Sequence, residues 1–236
     1  THYYSKKNFV DGFDKNKKPK PGQLFFSRSE EIVEHTFDCL CKNDTPDIVL
    51  ISGDLTYNGE RTSHDEMKAA LKKLQQKGKR VYVITATHDY TTPRMPTYGI
   101  DKNDKYIEVE SVNRTQLLKY YGDFGYNNAI AKHKSTMSYV AQLADGYRLF
   151  ALNDDYGDPD CGFSDELMNW VKTEANNAKR DGQYIIAMTH HPLVPPSPIY
   201  AAVAKGDMLN EYELRRNQLS DLGFDFVLTG HTLSLI

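Results

Sequence analysis

No run of apolar residues in this 236-residue sequence approaches the roughly 20 that a membrane-spanning helix needs, so no transmembrane segment is expected. Cysteine is scarce. Cys39 and Cys41 lie two apart on an expected helix, pointing in different directions, and Cys161 stands by itself, which leaves neither a disulfide framework nor a CxxC metal site. Charge excess is lacking as well: 29 Lys and Arg stand against 32 Asp and Glu, a formal −3. That balance offers no polyelectrolyte attraction to duplex nucleic acid or to an anionic membrane. No GxSxG elbow occurs and the cysteines have no catalytic setting, so serine and cysteine hydrolase chemistry finds no support. There is no internal repeat, and the one strongly biased stretch, DKNKKPKPG at 14 to 22, reads as a surface loop.

What the sequence does contain is an alternation of strand and helix signals, the pattern of a layered α/β fold. At 39% hydrophobic, the chain can bury the core of one large domain, and one is expected. Strands are read at 47 to 52 (DIVLIS), 80 to 86, 147 to 153, 183 to 189 and 225 to 230, and their continuous apolar character predicts burial on both faces. Helices are expected at 29 to 42, 112 to 121, 164 to 179 and 211 to 222. Another lies between the first two strands: Ser63 and Glu66 have capping-box spacing, Met67, Ala70, Leu71 and Leu74 form its stripe, and Gly78 is placed to end it. Asp145-Gly146 between two apolar runs predicts a hairpin, which makes the sheet mixed.

The strand ends carry the chemistry. DIVLIS runs into Gly53-Asp54, the second strand into Thr87-His88-Asp89, YIIAMT into His190-His191, and FVLT into Gly230-His231. In open α/β sheets ligands collect beyond the carboxyl ends of strands, so these groups are expected to converge as a carboxylate and histidine metal site. A lone Asp after Gly is usually a turn and a lone strand-end His usually just hydrogen-bonded; four coincidences reverse that weighting. Adjacent strand residues face opposite ways, so His190 is taken as the ligand and His191 as a residue behind it or at the substrate. His35, His64 and His133 have no evident partner group and are read as structural. Tyr57 and Asn58, just past Asp54, are placed for substrate contact by proximity alone.

In their order, GD, a triplet ending His-Asp, a strand-end His, GH, and His2 ahead of them, these residues resemble the calcineurin-like metallophosphoesterases. The stretches LISGDLTYNGE and YYGDFGYNNAI further resemble a bacterial branch containing secreted or surface-associated cyclic-nucleotide phosphodiesterases. The resemblance implies a four-layer α-β-β-α sandwich with mixed sheets, holding two divalent metal ions, with Mn, Fe or Zn suited to imidazole and carboxylate donors. It implies that Asp54 bridges both ions, that His2 serves the first, and that His190 and His231 serve the second. His88, oriented by Asp89, would protonate the leaving alkoxide, while metal-activated water attacks a small phosphodiester. A phosphomonoesterase and a non-catalytic phosphate-binding protein are the alternatives. A secreted or cell-surface location follows from the resemblance, with a cytoplasmic one as the alternative; oligomeric state is not legible.

Three positions depart from the family pattern. Thr87 stands where the triplet has Asn, and a hydroxyl is a poorer metal ligand than an amide carbonyl. The first motif sets Asp two residues before His2, and GHxH sets a second histidine where Leu233 stands. The expectation is a single metallophosphoesterase domain over 1 to 236, truncated at its N-terminus and incomplete at its C-terminus. Lys6, Lys7, Lys15, Lys17, Lys18 and Lys20 form a basic run after His2 that is read as a solvated loop, with phosphate steering as the functional alternative. HHPLVPPSPIY, 190 to 200, is read as a stiff turn or as a lip presenting Tyr200 to a base.

Overall fold

The computed structural model describes residues 2–12, 26–42, 44–155, 161–203 and 205–232. Lys15, Lys17, Lys18, Lys20 and Leu233 lie outside them. The chain divides into two compact units, the first Thr1–Val81 with Thr87–Gly122, the second Tyr82–Ala86 with Asp123–Ile236.

The first unit holds helix α1 (Phe26–Leu40), strand β1 (Ile48–Ser52), helix α2 (Arg61–Gln76), the opening residues of β2 (Arg80–Ile84), the short antiparallel pair β3 (Gly99–Ile100) and β4 (Tyr106–Ile107), and helix α3 (Leu117–Tyr121). The α2 stripe packs as its spacing predicts, with Met67, Leu71 and Leu74 buried, and Gly78 follows the helix at φ +82°, a left-handed stop that glycine adopts without strain. Its start differs from the sequence expectation. The helix begins at Arg61, so Ser63 and Glu66 lie inside it and do not cap it. They hold the segment that carries His2 instead: Ser63 Oγ accepts from the Ser5 N–H and from Asn8 Nδ2, both at 3.1 Å, and Glu66 accepts from the Tyr3 hydroxyl at 2.7 Å. Tyr4, fully buried, anchors that segment against Phe9, Tyr57 and Ile100.

The second unit is built on a five-stranded mixed sheet. Strands β5 (Ala131–His133), β6 (Ser138–Ala144) and β7 (Tyr147–Ala151) run antiparallel, while β8 (Tyr184–Met188) and β9 (Phe226–Leu228) continue from β7 in parallel. The Asp145-Gly146 hairpin is present, with Gly146 at φ +78°. Helix α4 (Asp165–Arg180) shows why its sequence folds as it does. Ser164 caps it by accepting from the Leu167 N–H, Asp165 and Glu166 occupy the first turn, Lys179 and Arg180 the last, and each complements the helix dipole. Its Leu167, Val171, Ala175 and Ala178 bury one face over β8 and β5, and a leucine or valine so buried contributes about 1.5–3 kcal/mol. Short helices α5 (Pro198–Val203) and α6 (Tyr212–Asp221) complete the unit.

The fold is thus mixed α/β, as the sequence implies, with strand cores shorter than the apolar runs. Burial on both faces holds for Leu149, Phe150 and Ala151 of β7 but not for β1, which is half-buried throughout. No helix among the described residues is long and apolar enough to cross a membrane.

Candidate functional site

Among the described residues each unit brings together a cluster of metal-capable side chains: His2, Asp54 and His88 in the first, and His190, His191 and His231 in the second, with the candidate ligand atoms of each cluster within 4.8 Å of one another.

In the first unit, β1 ends at Ser52 and the chain turns through Gly53 (φ +90°) and Asp54 (φ +51°), two consecutive left-handed residues. His2 is also left-handed (φ +48°). Its N–H donates to the Asp54 carbonyl at 2.8 Å and the Tyr3 N–H to Leu55 at 3.0 Å, a backbone splice that brings His2 Nε2 to 3.3 Å from Asp54 Oδ2. His88 sits on a single 3-10 turn, Thr87–Asp89, which carries all three residues of the triplet; Thr87 is half-buried there. The His88 N–H donates to Asp54 Oδ1 at 3.3 Å, and its ring centroid lies 4.7 Å from that of His2.

His88 is held by the loop that follows Asp54. Its Nδ1 faces the Tyr57 carbonyl and, at 2.9 Å, Asn58 Oδ1. Both are acceptors, so Nδ1 carries the proton and Nε2 is the lone-pair nitrogen of the neutral ring. Asp89, assigned from sequence to orient His88, uses Oδ1 to accept the N–H groups of Leu55 (2.7 Å) and Thr56 (3.0 Å), pinning the loop that carries Asp54. Asn58, assigned to substrate, is buried and serves as the ring's acceptor. Tyr57 is half-buried, with its ring 5.9 Å from His88 and 6.5 Å from His2.

In the second unit the pairing of His190 with His191 overturns the alternation argument. β8 ends at Met188, so neither histidine is a pleated strand residue and both rings turn to the same cluster. His190 Nε2 lies 3.2 Å from His231 Nδ1, and His231 is left-handed at φ +63°. Asp154 organises this cluster. Wholly buried, its Oδ2 accepts from Thr189 Oγ1 (2.8 Å), the His190 N–H (3.1 Å) and the His191 N–H (2.6 Å), while Oδ1 stands 3.4 Å from His191 Nδ1. Burial pushes the Asp154 carboxyl up, but the neighbouring imidazoles of His191 and His190 and the His191 backbone N–H outweigh that and hold it below the usual carboxylate range. A carboxylate behind a histidine is the arrangement that fixes ligand tautomers in metal sites. Asp154 was missed from sequence although a signal existed: it follows the 147–153 strand as the other acids and histidines follow theirs.

The donor set fits divalent transition ions. Two donors about 2.0–2.1 Å from a tetrahedral ion stand roughly 3.4 Å apart, close to the 3.3 Å of His2 and Asp54 and the 3.2 Å of His190 and His231. Lys6 and Lys7 of the basic run pair with Glu30 and Glu66 (3.2 and 2.8 Å). Tyr200 donates to Asp207 at 3.0 Å.

No curated protein matches the chain. Among solved structures it is similar to a dimetal phosphatase from Danio rerio, at 10% identity and TM-score 0.58, over 93% of this chain and 76% of that one. It is also similar to a purple acid phosphatase from yellow lupin (Lupinus luteus) seeds, at 16% identity and TM-score 0.56, over 93% of this chain and 36% of that one. The calcineurin-like phosphoesterase profile matches residues 26–235. With that match across nearly all of the chain and two clusters of the donors its chemistry uses, the protein belongs to the calcineurin-like phosphoesterase family, and its activity class is metal-dependent phosphoester hydrolysis.

Proposed function

We propose that the protein is a phosphodiesterase for small substrates such as cyclic nucleotides, using two divalent ions, one on each donor cluster. The observation that carries this reading is the pair of clusters itself. When bound, such ions neutralise phosphoryl charge and acidify a water to give the nucleophile. The chain's own residues do the rest. Asp54 and His2 would hold one ion; His190, His191 and His231 would hold the other, with the buried Asp154 carboxylate behind His191. His88, anchored through Nδ1, offers Nε2 as the nitrogen that would first take up a proton from solvent and then, as the imidazolium, pass it to the departing oxygen. In this reading residues 1 to 236 act as one catalytic domain, and both clusters are required for the one activity.

A nucleotide substrate is supported by aromatic rings beside the first cluster. Tyr57 flanks His2 and His88, Tyr98 lies 6.1 Å from Tyr57, and Tyr106, 46% exposed, packs 4.1 Å from Tyr98. Stacking of a base on such a ring contributes about 1–3 kcal/mol. The second reading, a phosphomonoesterase, is favoured by the two structural neighbours, both of them phosphatases.

Elemental analysis with turnover of a cyclic nucleotide, bis(p-nitrophenyl) phosphate and p-nitrophenyl phosphate tests the proposal. We expect two ions per chain and preference for diesters; Asp54→Ala should lose metal and activity together. His88→Ala should keep the metals and lose about 10²–10⁴-fold on the cyclic nucleotide, less on the nitrophenyl diester, whose leaving group needs no proton. A folded protein that takes up no Mn, Fe or Zn would mark the site as non-catalytic. Monoester preference would transfer the assignment to the second reading, and metal loss in His88→Ala would make His88 a ligand.

A further inference from the structure

His64, read from sequence as structural and partnerless, is fully buried on α2 and has partners on both ring nitrogens. Nε2 lies 2.9 Å from the Asp89 carbonyl and Nδ1 2.6 Å from the Tyr121 hydroxyl. A carbonyl only accepts, so Nε2 carries the hydrogen; the neutral ring then has its lone pair on Nδ1, and Tyr121 must donate to it. Burial supports that assignment, lowering the His64 pKa to about 4 and pushing the Tyr121 phenol well above its ordinary value. The result is a directional chain: Tyr121 O–H to His64 Nδ1, His64 Nε2–H to the carbonyl of Asp89.

That carbonyl sits at a junction. The Asp89 side chain accepts from Leu55 and Thr56, the two residues after Asp54, and Thr56 Oγ1 donates to the His88 carbonyl at 3.0 Å. The turn carrying His88 and the loop carrying Asp54 are therefore laced together at Asp89 and Thr56. His64 holds the lacing from the helix side.

We propose that His64 is a positioning residue for the first donor cluster: with its tautomer set by Tyr121, it fixes the Asp89 carbonyl and thereby the spacing of His88 and Asp54. The inference rests on the reading that this cluster holds an ion, and the test separates the two. Mn²⁺ alone is titrated calorimetrically into metal-stripped wild type, His64→Leu, His64→Gln, Tyr121→Phe and His64→Leu/Tyr121→Phe, with kcat and KM on the cyclic nucleotide measured in parallel. Outer partners of metal ligands typically contribute 10–100-fold in affinity. His64 reaches Asp54 only through Asp89, so we expect His64→Leu to weaken one of two Mn²⁺ sites at the low end of that range, about 10-fold, leave the other unchanged, and lower kcat more than KM. His64→Gln, which keeps an N–H in reach of Asp89, should recover much of the loss. Tyr121→Phe should weaken the same site less, and should add nothing in the His64→Leu background.

A general loss of packing would not single out one site. Should His64→Leu fail to fold, Tyr121→Phe and His64→Gln carry the test. Wild type that binds no Mn²⁺ overturns the reading of the cluster. Two normal Mn²⁺ sites in folded His64→Leu, equal weakening of both, or additive effects of the two substitutions overturn the inference while leaving the metal centre in place.

Discussion

Replacing Glu60 by Gln isolates a titration that the fold makes unfavourable. Glu60 precedes α2, is fully buried, and accepts the Asn58 N–H at Oε1 (3.0 Å), beside the residues that hold His88. Burial pushes its carboxyl up from 4.5 to about 7, partly offset by backbone N–H groups of Glu60, Asn58 and Tyr57 and by the Ser63 hydroxyl. Between those values the unfolded chain is ionised at Glu60 while the folded chain keeps the proton. The folded state therefore binds more protons, and stability falls as pH rises through the window. The full difference, at about 1.4 kcal/mol per unit, is about 3 kcal/mol, or roughly 10 °C in Tm for a chain of this size. Glutamine keeps the acceptor oxygen and never ionises. Thermal and urea melts of both proteins from pH 4 to 8, with metal chelated throughout, should show the advantage of Glu60→Gln growing toward high pH, falling to less than about 1 kcal/mol at pH 5 and vanishing only below the unfolded value of 4.5. Parallel stability curves would show that Glu60 ionises as it does in water, and the reasoning from its burial would fail.

Asp154→Asn preserves the shape behind His191 but removes the charge, and should weaken metal binding about 10–100-fold, measured by competition with a chromogenic chelator; unchanged affinity would leave Asp154 a purely structural acceptor. Gly59→Ala should destabilise by at least about 2 kcal/mol, because φ is +78° and the new Cβ would meet Tyr90 Cα at 2.6 Å and Thr91 N at 2.8 Å. Gly78→Ala, at φ +82° in open space, should lose only about 1 kcal/mol; equal losses in melts of the two variants would show that the clash is relieved by movement of the 90–91 backbone.

The strand ends were legible because a polar group after an apolar run is a local pattern; Asp54 and His88 lie in one candidate cluster and His190 and His231 in another, where the sequence reading had all four in a single site. Pairwise orientation was not legible. His191 was set aside by a rule for pleated strands that stops applying one residue past Met188, and Asp89 was given to His88 because they are adjacent, with no signal that its Oδ1 also accepts from the backbone of Leu55 and Thr56. His64 is farther still from legibility: its partners, at 89 and 121, are joined to it only by the fold. Ser63 and Glu66 show the same limit from the other side, where a true spacing signal served the 3–8 segment and not a helix start.

Six described non-glycine residues have left-handed backbone, and three of them, His2, Asp54 and His231, are donor residues. Each such residue is disfavoured by roughly 1–2 kcal/mol relative to ordinary backbone. A thermostability campaign that ranked positions by backbone ideality would therefore place glycine at these three early, and its melting curves would improve with every round. The same campaign would remove both donor clusters without any warning from the stability screen, so a library built on this scaffold needs metal retention as a second selection from its first generation.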